Sequence, residues 1–165
     1  MGALSFKPRY VAAVLNGSKP FTMRKLRKGG GCHKLGDTLH LFTNHRLPTM
    51  AKFGVATCVM RTTLWFDERG LAKVQHDGLA EDAPPVFARV GQAIVDTGEL
   101  DAGTQERALH QLASWDGFAS WSDLHAWHVA NGGVDANGHC LRRLFGLGRV
   151  IPEPGFDVQG LLVDD

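Results

Sequence analysis

Apolar and polar positions divide this chain into stretches of period two and stretches of helical period. Residues 3–7 form a short apolar-rich stretch that suits a first strand. Pro8 follows, where a missing N–H costs nothing in the first turn of a helix. Val11, Ala12, Val14 and Leu15 make one helical face, and Gly17 is a natural stop. Phe21, Met23 and Leu26 then alternate with Thr22 and Arg24, a strand pattern that puts Thr22 and Arg24 on one face. Leu35-Gly36-Asp37 reads as a turn, residues 38–43 as a strand and residues 53–63 as a long strand rich in β-branched side chains. Residues 64–74 read as a further hairpin around Glu68-Arg69-Gly70, and His76-Asp77-Gly78 as another turn.

The second half predicts helices. Ala83-Pro84-Pro85 breaks structure, and a helix is expected over 86–95, within an insertion at 79–103 packed on the edge of the main fold. Thr104 is the expected N-cap of a helix over 104–114. Ser120 caps another, with Asp123 three residues on as in a capping box, and Leu124, Trp127 and His128 on one side. Asn131-Gly132-Gly133 ends that helix. Residues 141–151 predict a closing strand, and the residues from Pro152 on a partly frayed acidic tail. The order of strand, helix, several strands, helices, strand is that of an α+β fold, a small mixed β-barrel flanked by helices.

Composition changes this picture in one respect. The chain has 165 residues with 44% hydrophobic content, enough for one domain with a real core. No apolar run approaches the length of a membrane span, and the first residues lack a signal-peptide pattern, so a cytoplasmic protein is expected. Charge, however, is unevenly placed. Lys7, Arg9, Lys19, Arg24, Lys25, Arg27, Lys28 and Lys34 all precede the first acid, Asp37, although the whole chain has 18 basic and 17 acidic residues. Such asymmetry points to a basic face that meets an anion, of which nucleic acid is the usual one; the plainer reading is a solvated surface. The three cysteines suit a reducing compartment. Cys32-His33 and His139-Cys140 match no zinc-finger spacing, and the structural reading is kept for them. No Gly-rich phosphate loop of either standard pattern is present.

Five segments carry a resemblance. Leu4-Ser5-Phe6-Lys7-Pro8, then Leu15-Asn16-Gly17-Ser18-Lys19-Pro20-Phe21-Thr22-Met23-Arg24, then Leu35-Gly36-Asp37-Thr38-Leu39-His40-Leu41 resemble the ASCH domain, a relative of the PUA domain. Asp116-Gly117-Phe118 before the Ser120 helix resembles a second signature of that family, and Leu144-Phe145-Gly146 its final strand. The resemblance implies a PUA-like (ASCH) β-barrel with flanking helices over residues 1–152, interrupted near 79–103, with 153–165 left as the acidic tail. It also implies a cleft between barrel and helices that takes RNA or a modified nucleoside. One bacterial branch of the family hydrolyses the acetyl amide of 4-acetylcytidine with a Lys, a Thr and a Glu; another is similar to a metal-dependent ribonuclease. Carried over, the Lys is Lys19 and the Thr is Thr22, with Asp116 the nearest acid to the family Glu. No cofactor is expected, except a divalent metal on the ribonuclease reading.

The residues themselves leave three readings of that trio open. In a catalytic one, a desolvated Lys19 near Arg24 is the base that activates the Thr22 hydroxyl, and Asp116 orients a water or shuttles a proton. In a binding one, Lys19 and Arg24 hold phosphate, Thr22 bonds a base or ribose, and Asp116 accepts from an exocyclic amine. In a structural one, Asp116 forms a salt bridge with Lys19 or Arg24. Lys7, Arg9, Tyr10, Lys25, Arg27 and Lys28 complete the expected ligand-binding set. Trp121 joins them as a ring to stack on a base, chosen from a cluster with Trp115, Trp127 and Phe118 that is otherwise core. His45 is a further loop residue within reach of a ligand.

Overall fold

The computed structural model describes residues 2–25, 33–44, 47–67, 69–100 and 102–162. Along the chain, β1 (Gly2–Phe6) leads into α1 (Pro8–Leu15), β2 (Phe21–Lys25) and β3 (Thr38–Thr43). Then come β4 (Ala51–Asp67), β5 (Gly70–Leu79), α2 (Pro85–Glu99), α3 (Ala102–Trp115) and α4 (Trp121–Ala130). The chain closes with β6 (Cys140–Leu147), β7 (Ile151–Pro152) and a short 3₁₀ helix at Gln159–Leu162. The result is an α+β fold in which a curled, mixed half-barrel sheet carries four helices.

The order along the main path is β1-β3-β4-β6-β2, with β5 and β7 also paired to β4. β1 and β3 run parallel, and the other pairs are antiparallel. The 17-residue β4 belongs to both halves of the sheet: its first part pairs β3 and β7, its second β5 and β6. Register shifts at Leu41/Phe42 and between Cys58 and Met60 lie along it. A bulge bends its strand and raises the local twist, which lets one strand turn from one half of the curl into the other.

Two apolar clusters hold the layers. Leu4, Phe6, Val11, Val14, Leu39, Leu41 and Phe53 fill the space under α1. Phe21, Met60, Leu64, Phe66, Phe87, Ile94, Leu109, Leu112 and Leu124 fill the larger one, between the sheet and α2, α3 and α4. Residues 79–103 contribute to this second cluster through Phe87, Val90 and Ile94, and Phe87 meets Phe21 edge-on at 5.5 Å. No helix among the described residues is long and apolar enough to cross a membrane.

Several local expectations need correction. His76-Asp77-Gly78 is not a turn: it lies within β5, where Gly78 takes φ 113° at a register shift opposite Arg61 and Thr62. A bulge absorbs the same left-handed glycine that a turn uses. α3 starts at Ala102, ahead of Thr104. Its anchor is Gln105, buried at 3% exposure, whose amide accepts from Leu71 N at 3.0 Å and donates to Leu71 O at 3.2 Å. The last strand divides into β6 and β7, and the following residues pack: Phe156 lies 5.9 Å from Phe53, and Glu153 pairs with Lys52 at 2.7 Å.

Gly146 shows how closely helix and sheet approach. A Cβ there would lie 2.7 Å from Met60 Cβ and 2.8 Å from the Phe87 ring. Gly146→Ala should therefore push α2 off the sheet and cost about 1–3 kcal/mol, read as a lower urea midpoint at unchanged m-value.

Candidate functional site

Two turns deliver the central pair. α1 ends at Asn16, and Gly17 takes φ 79°, the left-handed conformation that closes a helix. Asn16 Oδ1 accepts from Ser18 N at 2.9 Å, and Lys19 N donates back to Ala13 O at 2.9 Å. This fixes Lys19 at the mouth of β2. Across the cleft, α3 ends at Trp115, and Asp116 begins a turn in which Gly117 has φ 88°. A Cβ on Gly117 would lie 2.6 Å from the Tyr10 ring, so the glycine is needed twice, for its conformation and for its space.

Lys19 and Asp116 meet with Nζ–Oδ1 at 2.7 Å, their side chains 6% and 9% exposed. The same Oδ1 accepts from Met23 N at 3.4 Å, which ties the acid to β2. Lys19 Nζ also donates to Trp115 O at 3.4 Å, one of the carbonyls left open at the end of α3 and the negative end of its dipole. The third ammonium hydrogen is left for the cavity, where the Tyr10 ring centroid lies 5.1 Å from Nζ. Burial pulls the Lys19 pKa below its ordinary value; Asp116 opposes this, and Arg24 adds to the fall.

Behind Asp116 stands a residue the sequence reading did not place in the site. His128, 2% exposed, sits 3.9 Å from Asp116 Oδ2 through Nε2, and accepts at Nδ1 from Arg142 Nε at 2.8 Å. Arg142, also 2% exposed, donates besides to the His128 carbonyl. An arginine N–H is always a donor, so Nδ1 must be the acceptor and the imidazole hydrogen lies on Nε2, facing the carboxylate. Burial lowers the His128 pKa, Asp116 opposes the shift, and Arg142 and Arg24 add to it. A buried row of polar side chains thus runs from Arg142 through His128 and Asp116 to Lys19, with no hydrogen bond across the 3.9 Å between His128 and Asp116.

The array opens into a cavity of about 370 Å³. Lys7, Arg9, Tyr10, Lys19, Thr22, Arg24 and Asp116 all line it, with Ser5, Phe6, Asn44, Phe118 and Trp127. Tyr10 OH donates to Gly117 O at 3.4 Å and accepts from Arg9 at 3.0 Å, and Arg24 donates to Ser5 O and lies over the Phe6 ring. Thr22 is 3% exposed, and its hydroxyl has no hydrogen-bond partner among the described residues. Lys25 is exposed at the end of β2 and does not line the cavity. Arg27, Lys28 and His45 lie outside the described residues.

Trp121 must be corrected: it packs in the core, 9% exposed and edge-on to Phe66 at 5.2 Å. The ring at the cavity is Trp127, 44% exposed, beside Phe118 at 5.9 Å. Helical spacing carried that signal. The expected grouping of Leu124, Trp127 and His128 on one side is corrected: Trp121, Leu124 and His128, three and four residues apart, share the buried face, whereas Trp127 falls about 100° from His128. Only one of the two tryptophans can face the core. Cys140 is buried in the main core, and among the described residues no three His, Cys, Asp or Glu side chains group as metal ligands.

An imidazole neutral in the fold and cationic when unfolded means that the unfolded chain binds more protons at mildly acid pH. His128 therefore adds stability above its unfolded pKa, near 6.5, and this is lost as pH falls below it. Urea titrations between pH 7.5 and 5 should show stability falling by up to about 1.4 kcal/mol per pH unit, with a shallower slope in His128→Gln. No family model, no curated protein and no solved structure matches this chain.

Proposed function

We propose that this is an ASCH-type, PUA-like protein whose cleft binds RNA or a modified nucleoside in the cytoplasm. The observation that carries the reading is the content of the cavity. Its size, about 370 Å³, falls at the lower end of small-molecule sites. Tyr10, Phe118 and Trp127 supply rings, Lys7, Arg9 and Arg24 supply positive charge, and Thr22 supplies a polar contact. Flat rings beside cations are what unstacked bases and their backbone require. Asp116, with one oxygen on Lys19 and the other facing His128, orients the lysine and is not the group that reads an exocyclic amine.

Hydrolysis of an acylated nucleoside is the second reading, favoured by the buried Lys19 of lowered pKa and the unpartnered Thr22 hydroxyl in one cavity. In that chemistry the Lys19 ammonium first releases a proton to solvent, and the amine so formed takes the Thr22 proton as the oxygen attacks the acyl carbon. The ammonium returns it to the leaving exocyclic nitrogen, and water then cleaves the acyl-threonine ester. The metal-dependent ribonuclease reading finds no ligand group among the described residues.

Fluorescence anisotropy with a short single-stranded RNA tests the first reading. Affinity should fall with salt on a log–log plot by about 0.7 per phosphate contacted, and Arg24→Ala should weaken binding by tenfold or more. Neither RNA nor nucleoside binding at low salt would contradict it. Release of acetate from 4-acetylcytidine, lost in Thr22→Val, would establish the second reading.

A further inference from the structure

We infer that the sheet face turned away from α2, α3 and α4 is a track for single-stranded RNA that leads to the cavity. This rests on the cleft being an RNA site and adds the path of the strand to it. β5, β4, β6 and β2 pair in that order. Side chains alternate between the two faces of a strand. Val74 of β5, Leu64 and Phe66 of β4, Leu144 of β6 and Met23 of β2 pack in the core beneath the helices. Their neighbours along each strand point the other way.

The register sets those neighbours in rows. Gln75 lies opposite Thr63, Thr63 opposite Arg143, and Arg143 opposite Arg24. This row crosses four strands and ends at a residue that lines the cavity. The next row is Lys73, Trp65 and Leu141. Lys73 and Gln75 are exposed, and Trp65 and Arg143 are partly so. Lys73 Nζ stands over the Trp65 ring, 4.7 Å from its centroid.

Charge and ring together name the occupant. Arg143 Nε donates to Thr63 Oγ1 at 3.3 Å, and Lys73 has the Trp65 ring. Neither cation has an acid within ion-pair distance among the described residues. The acids nearby are committed. Asp77 pairs with Arg61 at 2.9 Å and accepts from Gln75, and Asp67 accepts from Arg69 N and Gly70 N in the hairpin. Cations beside a ring on an open surface suit the phosphates and unstacked base of a single strand. A four-stranded sheet takes two or three bases in this way. An acidic peptide would meet the cations and leave the ring unused, and a duplex keeps its bases paired and away from it.

Fluorescence anisotropy at low salt tests this with a single-stranded dodecanucleotide RNA, the same RNA as a duplex, and polyglutamate. The unaltered chain is compared with Lys73→Ala/Arg143→Gln, and calorimetry with the free ribonucleosides runs beside it. The double variant should bind the single strand tenfold or more weakly, with a log–log salt slope lower by about 1.4 for two lost phosphate contacts. Nucleoside binding in the cavity should be unchanged. Lys73→Glu alone, at an exposed position, should weaken the single strand threefold or more, whatever Arg143→Gln does to β6. Unchanged single-strand affinity in both variants would overturn the track and leave the reading of the cleft standing. Nucleoside binding without single-strand binding would do the same. Duplex or polyglutamate bound as tightly as the single strand would overturn the assignment to single-stranded RNA. No binding of RNA or nucleoside by the unaltered chain would overturn both.

Discussion

A lysine and an aspartate 97 residues apart meet at 2.7 Å with almost no solvent between them and the core. Burying two charges is expensive, and their attraction repays the cost only where geometry is good and the remaining donors and acceptors are used. Here they are used. The Met23 amide reaches the carboxylate from β2, the Trp115 carbonyl takes a second ammonium hydrogen from Lys19, and His128 faces the other oxygen. Each partner belongs to a different element, so the pair pins the end of α1, the start of β2 and the end of α3 to one another. α4 joins through His128 and β6 through Arg142.

The cleft follows from that constraint. With α3 ended at Asp116 and Gly117 turned left-handed, Tyr10 can lie against the turn, and Phe118 and Trp127 reach the cavity. Asp116 is committed to Lys19, and Lys7, Arg9 and Arg24 line the same cavity. The same pair that closes the fold at this point therefore also sets the charge of the site. A buried polar array of this kind tends to specify one arrangement more than it adds net stability. That suits a site in which a lysine must be held still.

Much of this was legible in the sequence where chemistry is local. Gly17 two residues before Lys19, the alternation through Thr22 and Arg24, and the Ser120–Asp123 cap all report on neighbouring backbone. The acid-free N-terminal segment likewise announced cations, and Lys7, Arg9 and Arg24 do line one cavity. What could not be read was contact at long range. Nothing near His128 indicates that Arg142 occupies its Nδ1, because the two are brought together by α4 packing over β6. Trp121 and Trp127 look alike in composition and differ only by angle around a helix. Gly78 reads equally as turn or bulge until β4 is laid beside it.

The most direct test is a double-mutant cycle on Lys19→Met and Asp116→Leu, followed by urea unfolding and by binding of a short single-stranded RNA. Asp116→Leu alone should cost about 3–5 kcal/mol, since it leaves a buried ammonium unpaired. The double variant should recover part of this, with a coupling of about 2–3 kcal/mol, yet fail to bind the RNA. Additive stability effects, or an RNA affinity in the double variant equal to that of the unaltered chain, would contradict the account.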